Sequence, residues 1–138
     1  MGYYSDVAIG MSAKNFKTLW EREKELVDEQ GSILDMMSEF VDRPADETVI
    51  MVWYSFKWYG ELVRRIEKFL NEIDEQGESY YFLRIGEDFD DIEEYNIIGI
   101  DDQVIEGIEL QRTIHIDSRI GDTYRYNPSL IKDLGHLN

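Results

Sequence analysis

The spacing of apolar and polar positions changes period several times along this chain, and each change marks an element. Residues 3–11 alternate, with Tyr3, Ser5, Val7 and Ile9 on one face and Asp6 on the other, which predicts a first strand. Ser12 then suits the N-cap of a helix in which Phe16, Leu19, Trp20, Glu23 and Val27 recur at a 3.6-residue period, until Gln30-Gly31 interrupts it. Ser32 opens a second, short helix carrying Ile33, Leu34, Met37 and Phe40 and ending near Asp42-Arg43-Pro44.

The run from Thr48 to Trp58 is dense in β-branched and aromatic residues and is bounded by Pro44 and Gly60. It predicts a central strand buried on both faces near its start. From Glu61, Leu62, Val63, Ile66, Phe69, Leu70 and Ile73 recur at spacings of three and four opposite Arg64, Arg65, Glu67 and Lys68, the pattern of an amphipathic helix stopped before Gly77. Residues 79–85 alternate as a third strand and 106–116 as a fourth, with Ile108, Leu110, Arg112, Ile114 and Ile116 on one face. Between them, 86–103 reads as an acidic connection with a short strand at 97–100. This order predicts an α+β fold, a ferredoxin-like or split β-α-β sandwich in which helices cover one face of an antiparallel sheet. Residues 1–117 form one domain on this reading, and 118–138, with Gly121, Pro128 and Gly135, form a loosely attached tail whose Tyr124, Tyr126, Leu130 and Ile131 can pack back.

Charge sharpens this picture. The chain carries a formal charge of -16, and residues 71–109 hold 14 acids against a single base, Arg84, which is -13 of that total. No cluster of Lys and Arg is present to neutralise phosphates, so direct binding to nucleic acid or to an anionic membrane surface is not expected. A one-sign surface of this kind either keeps the protein in solution or steers it to a basic partner. No run approaches the roughly 18 apolar residues of a membrane span, and the start has no basic segment followed by an apolar stretch, so the expected location is the cytoplasm. Zero cysteines exclude thiolate chemistry and thiolate metal sites.

The segment 86–94 is where chemistry could reside, because Glu87, Asp88, Asp90, Asp91, Glu93 and Glu94 supply hard oxygen ligands. An EF-hand loop starting at Asp88 fails, with Ile92 at its fifth position and Glu93 at the sixth, where glycine is needed. General acid–base catalysis needs a carboxyl group raised by burial, which a run this polar does not indicate. The two histidines, His115 and His136, have no visible catalytic partner, and no nucleophile elbow or phosphate-binding glycine loop occurs. No catalytic residue, cofactor or metal is assigned. The aromatic set Trp53, Tyr54, Phe56, Trp58 and Tyr59 lacks the flanking bases of a nucleic-acid platform and suits core packing or a protein interface.

Three stretches, Met1-Gly-Tyr-Tyr-Ser-Asp-Val-Ala8, Phe56-Lys-Trp-Tyr59 and Arg84-Ile-Gly-Glu-Asp-Phe-Asp-Asp-Ile-Glu93, together resemble a family of small tailed-phage and prophage proteins of unknown function. The likeness runs over residues 1–117 and departs at 30–46, which is longer than the family pattern. It implies a phage origin and an accessory role but no activity. The resulting expectation is a non-enzymatic protein, in the cytoplasm of the host cell, that binds a host protein with a basic surface through Glu87, Asp88, Asp90, Asp91, Glu93 and Glu94 and inhibits a defence or nucleic-acid-handling complex. Two alternatives stand beside it: a divalent-metal binder or metal-dependent enzyme using residues 87–94, and a self-associating structural protein such as a homodimer.

Overall fold

The structure is a computed structural model that describes residues 3–26, 31–110, 114–117, 121–126 and 128. Val27, Gln30, Arg112, Leu130, Ile131, Gly135 and His136, all used in the sequence reading, lie outside the described residues.

The first strand, β1 (Ser5–Ser12), passes directly into helix α1 (Ala13–Glu25) because the Ser12 hydroxyl accepts a hydrogen bond from the Asn15 amide at 3.1 Å, capping the first turn. A 3-10 turn (Ile33–Met36), capped by Ser32, leads to β2 (Glu39–Arg43), and β3 (Thr48–Phe56) follows. Helix α2 (Glu61–Glu75) runs back to β4 (Tyr80–Ile85), and β5 (Ile92–Ile97) closes a hairpin with it. Two short strands, β6 (Ile108–Leu110) and β7 (Ile114–Ile116), pair among the described residues only with each other, and β8 (Tyr124–Tyr126) joins the main sheet beside β2.

The main sheet is antiparallel throughout, in the order β5-β4-β1-β3-β2-β8. Its inner four strands, β4-β1-β3-β2, with α1 between β1 and β2 and α2 between β3 and β4, are the ferredoxin-like arrangement expected from the sequence. Helices cover one face, where Phe16, Leu19, Val63, Ile66, Phe69 and Ile73 meet Val7, Ile9, Met11, Val49, Met51, Trp53 and Phe82. The opposite face carries Ala8, Ile50, Val52, Leu83 and Ile85 beneath Ile105, Ile108, Ile114 and Ile116. Both faces being covered explains why β3 reads as one unbroken apolar run until Tyr54. Gly10 sits under this second layer, where a Cβ would lie 2.4 Å from the Ile105 side chain.

Three elements differ from the expectation. The second helix is a 3-10 turn followed by β2. Phe40 faces the helices and Val41 faces the other way, so the period there is two, and five residue pairs along β3 outweigh a chance helical spacing of Ile33, Leu34, Met37 and Phe40. The 106–116 strand is instead the β6–β7 hairpin, which lays its isoleucines on the back of the sheet rather than extending it. The strand expected at 97–100 lies earlier, as β5, because an edge strand with one half-exposed side tolerates Glu93 and Glu94 and so looks like a loop.

Trp53 is fully buried, and its indole N–H donates to the Ile33 carbonyl at 3.0 Å, fastening the 3-10 turn to β3. Trp53→Phe removes that donor and part of the ring. A loss of about 2 kcal/mol in urea unfolding is expected, with the m-value unchanged.

Candidate functional site

The acid-rich segment is built around the β4–β5 hairpin. Register places Arg84 directly opposite Glu93, with Ile85 opposite Ile92, so the connecting turn spans 86–91. Arg84, the single base in this part of the chain, turns its guanidinium on three partners: Asp91 Oδ1 at 2.5 Å, Glu93 Oε1 at 2.6 Å and the Ser5 hydroxyl at 2.9 Å. Tyr3 closes the other side, its hydroxyl donating to Asp91 Oδ2 at 2.6 Å and accepting from the Asp88 amide at 3.0 Å. Glu87 accepts from the Tyr4 amide at 2.7 Å. The Asp91 carboxylate and the Tyr3 hydroxyl close over Gly86, where a Cβ would lie 2.2 Å from Asp91 and 2.4 Å from the Tyr3 hydroxyl, so a larger residue there would displace this pair.

The six carboxylates therefore divide. Asp91 and Glu93 neutralise Arg84, and Glu87 caps the chain at Tyr4. Glu94, pointing to the opposite face from Glu93, accepts the Tyr81 hydroxyl. Asp88 and Asp90 make no side-chain hydrogen bond or ion pair among the described residues, and between them Phe89 is 79% exposed. The Arg84 hydrogen bonds, then that of Tyr3, hold the Asp91 carboxyl below its ordinary value. Burial, and then the bond to Glu94, raise the Tyr81 phenol well above its usual range.

No family model, curated protein or solved structure matches this chain.

Two concave surfaces adjoin the hairpin. One, of about 500 Å³, lies at the strand ends between Tyr4, Asp6, Ser55 and Glu87. It arises from a bulge where β3 spends an extra residue: Ser55 adopts φ 50° and donates its amide to Asp6 at 2.9 Å. The other is a groove of about 540 Å³ between α2 and β5, with Leu70, Phe82 and Tyr95 in its lining and Glu67, Asp74 and Glu93 along it. Burial first, then the neighbouring Glu93 charge, raises the Glu67 carboxyl.

Chemically, this arrangement offers charge and shape. Among the described residues, no three Asp, Glu or His side chains converge as a metal-binding group, since the carboxylates of 87–94 turn in different directions. No helix among them is long and apolar enough to cross a membrane. His115 stands opposite Glu109 in the β6–β7 pairing. Of the aromatic set, Trp53 is buried with Trp58 5.2 Å from it, and Tyr54 and Tyr59 are exposed. Sequence reasoning missed the Glu67–Asp74–Tyr95 groove, which needs the α2 face and the β5 register together. The solitary base at Arg84 was the available signal for the ionic centre of the hairpin.

Proposed function

We propose that this chain is a non-enzymatic phage accessory protein that binds a basic surface of a host protein, and that the tip of the β4–β5 hairpin is its leading contact. The observation that carries this reading is the division of the carboxylates: four are held by the fold, while Asp88 and Asp90 flank an exposed Phe89. An exposed aromatic ring between two carboxylates combines an anchor with charges that steer a basic partner. Clamping of the turn by Arg84, Tyr3 and Gly86 lowers the ordering penalty on binding. A partner whose basic groove normally receives phosphates, such as a defence or nucleic-acid-handling complex, has the complementary charge.

The test is capture from bacterial host lysate with the native chain and with an Asp88→Asn/Phe89→Ala/Asp90→Asn variant, at low and high salt. A basic protein held by the native chain at low salt, released at high salt and lost with the variant is expected. The same proteins recovered with both chains would overturn the assignment to the tip.

A further inference from the structure

The outer edge of the sheet at β5 offers an interaction that the hairpin tip does not. Backbone direction there follows from two hydrogen bonds. The Ala13 amide donates to the Glu47 carbonyl at 2.9 Å on the β1–β3 side, and the Gly86 amide donates to the Asp91 carbonyl at 2.8 Å on the β4–β5 side. Carried through the antiparallel registers, both place the backbone groups of Glu93, Tyr95 and Ile97 toward β4 and those of Ile92, Glu94 and Asn96 outward. The Ile92 amide is taken by the Asp90 carbonyl at 3.1 Å, so Glu94 and Asn96 present the outward donors and acceptors. Among the described residues no strand pairs with this edge.

Charged residues on an edge strand commonly serve to keep copies apart. Here they do so selectively. A second copy paired along β5 would bring its own Glu93 and Glu94 beside these, and like charges on facing strands repel. A basic strand meets the opposite situation. On its helix side the edge opens into the groove, where Glu67 and Asp74 of α2 stand across an apolar lining from Glu93 and Tyr95. The raised Glu67 carboxyl reflects burial first and then the neighbouring Glu93 charge, and an incoming ammonium or guanidinium group beside Glu67 favours its charged form.

We propose that the outer edge of β5 accepts an added strand from a partner segment in which Lys or Arg alternates with uncharged residues, the basic side chains settling over the groove beside α2. This rests on the reading of the chain as a binder of a basic partner and specifies how that partner docks. Main-chain bonds to Glu94 and Asn96 supply affinity, and the alternating bases supply specificity.

A short peptide of alternating Lys and Thr is the probe, titrated into the native chain and observed through its backbone amide resonances. Binding should shift the Glu94 and Asn96 amides and slow their exchange. Asn96→Pro removes an outward donor and leaves the β4 side intact, and should weaken the peptide by about tenfold. A peptide N-methylated at alternate residues repeats the test without altering the protein. Equal binding by Asn96→Pro and by the methylated peptide, with only the Asp88 and Asp90 amides shifting, would overturn strand addition and leave the tip reading in place. No binding at low salt would overturn strand addition, and the lysate capture would separately decide the tip. Slow Glu94 and Asn96 amides in the free chain, with a dimeric mass by light scattering, would assign the edge to a second copy.

Discussion

Replacing Arg65 by Met is expected to destabilise the fold by about 3–5 kcal/mol, because it strands a buried carboxylate. Glu23 of α1 is 3% exposed and is held by two hydrogen bonds from Arg65 of α2, at 3.0 and 3.2 Å, and by the Ser32 hydroxyl at 2.8 Å. Arg65 also donates to the Gly31 carbonyl at 3.1 Å, so one guanidinium joins both helices to the start of the 3-10 turn. After its removal, the Glu23 carboxyl stays in the helix layer without its guanidinium, keeping among the described residues the Ser32 hydroxyl bond. The double variant Glu23→Leu/Arg65→Met removes the stranded charge as well and should be more stable than Arg65→Met alone. Urea unfolding of native, single and double variants checks this. A double variant no better than the single one would mean that burial of Glu23 is not the source of the loss.

This pair also marks where sequence pattern stops being informative. Glu23 falls on the apolar stripe of α1 with Phe16 and Leu19, and its place there was legible; its partner, 42 positions away on α2, was not. The same boundary runs through the whole fold. Strand β3 and helix α2 are long enough for period two or 3.6 to assert itself, and both lie where the sequence put them. Strand β2 has five residues, too few for its alternation to compete with an accidental helical spacing, and it is recognisable only through its pairing with β3. The ferredoxin-like class is nevertheless legible, although the pattern offers 106–116 as the fourth strand and hides β2, which occupies that place in the β4-β1-β3-β2 order.

The acidic region shows the same division. Its charge was plain from composition, since formal charge needs no geometry. Which carboxylates remain available depends on the hairpin register that sets Glu93 against Arg84, and on a tyrosine 88 positions from Asp91. Six similar residues in sequence become three kinds in space: those binding a guanidinium, those accepting from Tyr4 or Tyr81, and the exposed pair beside Phe89.

Arg84→Met should therefore have effects well beyond its own contacts. The Arg84 side chain is 13% exposed and faces Asp91 and Glu93, which are 32% and 44% exposed, so solvent screening moderates the loss to about 2–3 kcal/mol at neutral pH. The pH dependence follows from the lowered Asp91 carboxyl. Its contribution is present in full above the unfolded value, near 3.8, and is lost as pH falls through the lower folded value. Native stability should accordingly fall on acidification in that window, whereas the variant, lacking the guanidinium that lowers Asp91, should lose less and converge on the native chain. Salt should partly restore the variant at neutral pH by screening Asp91 from Glu93. Because the same guanidinium clamps the turn, Arg84→Met should also weaken capture of a basic partner although Arg84 itself lies behind the tip, and the loss should exceed that of a surface charge change such as Lys68→Met. Parallel stability curves for the two chains through the acid range would show that Asp91 is not held by Arg84, and undiminished capture would show that the clamp does not preorganise the tip.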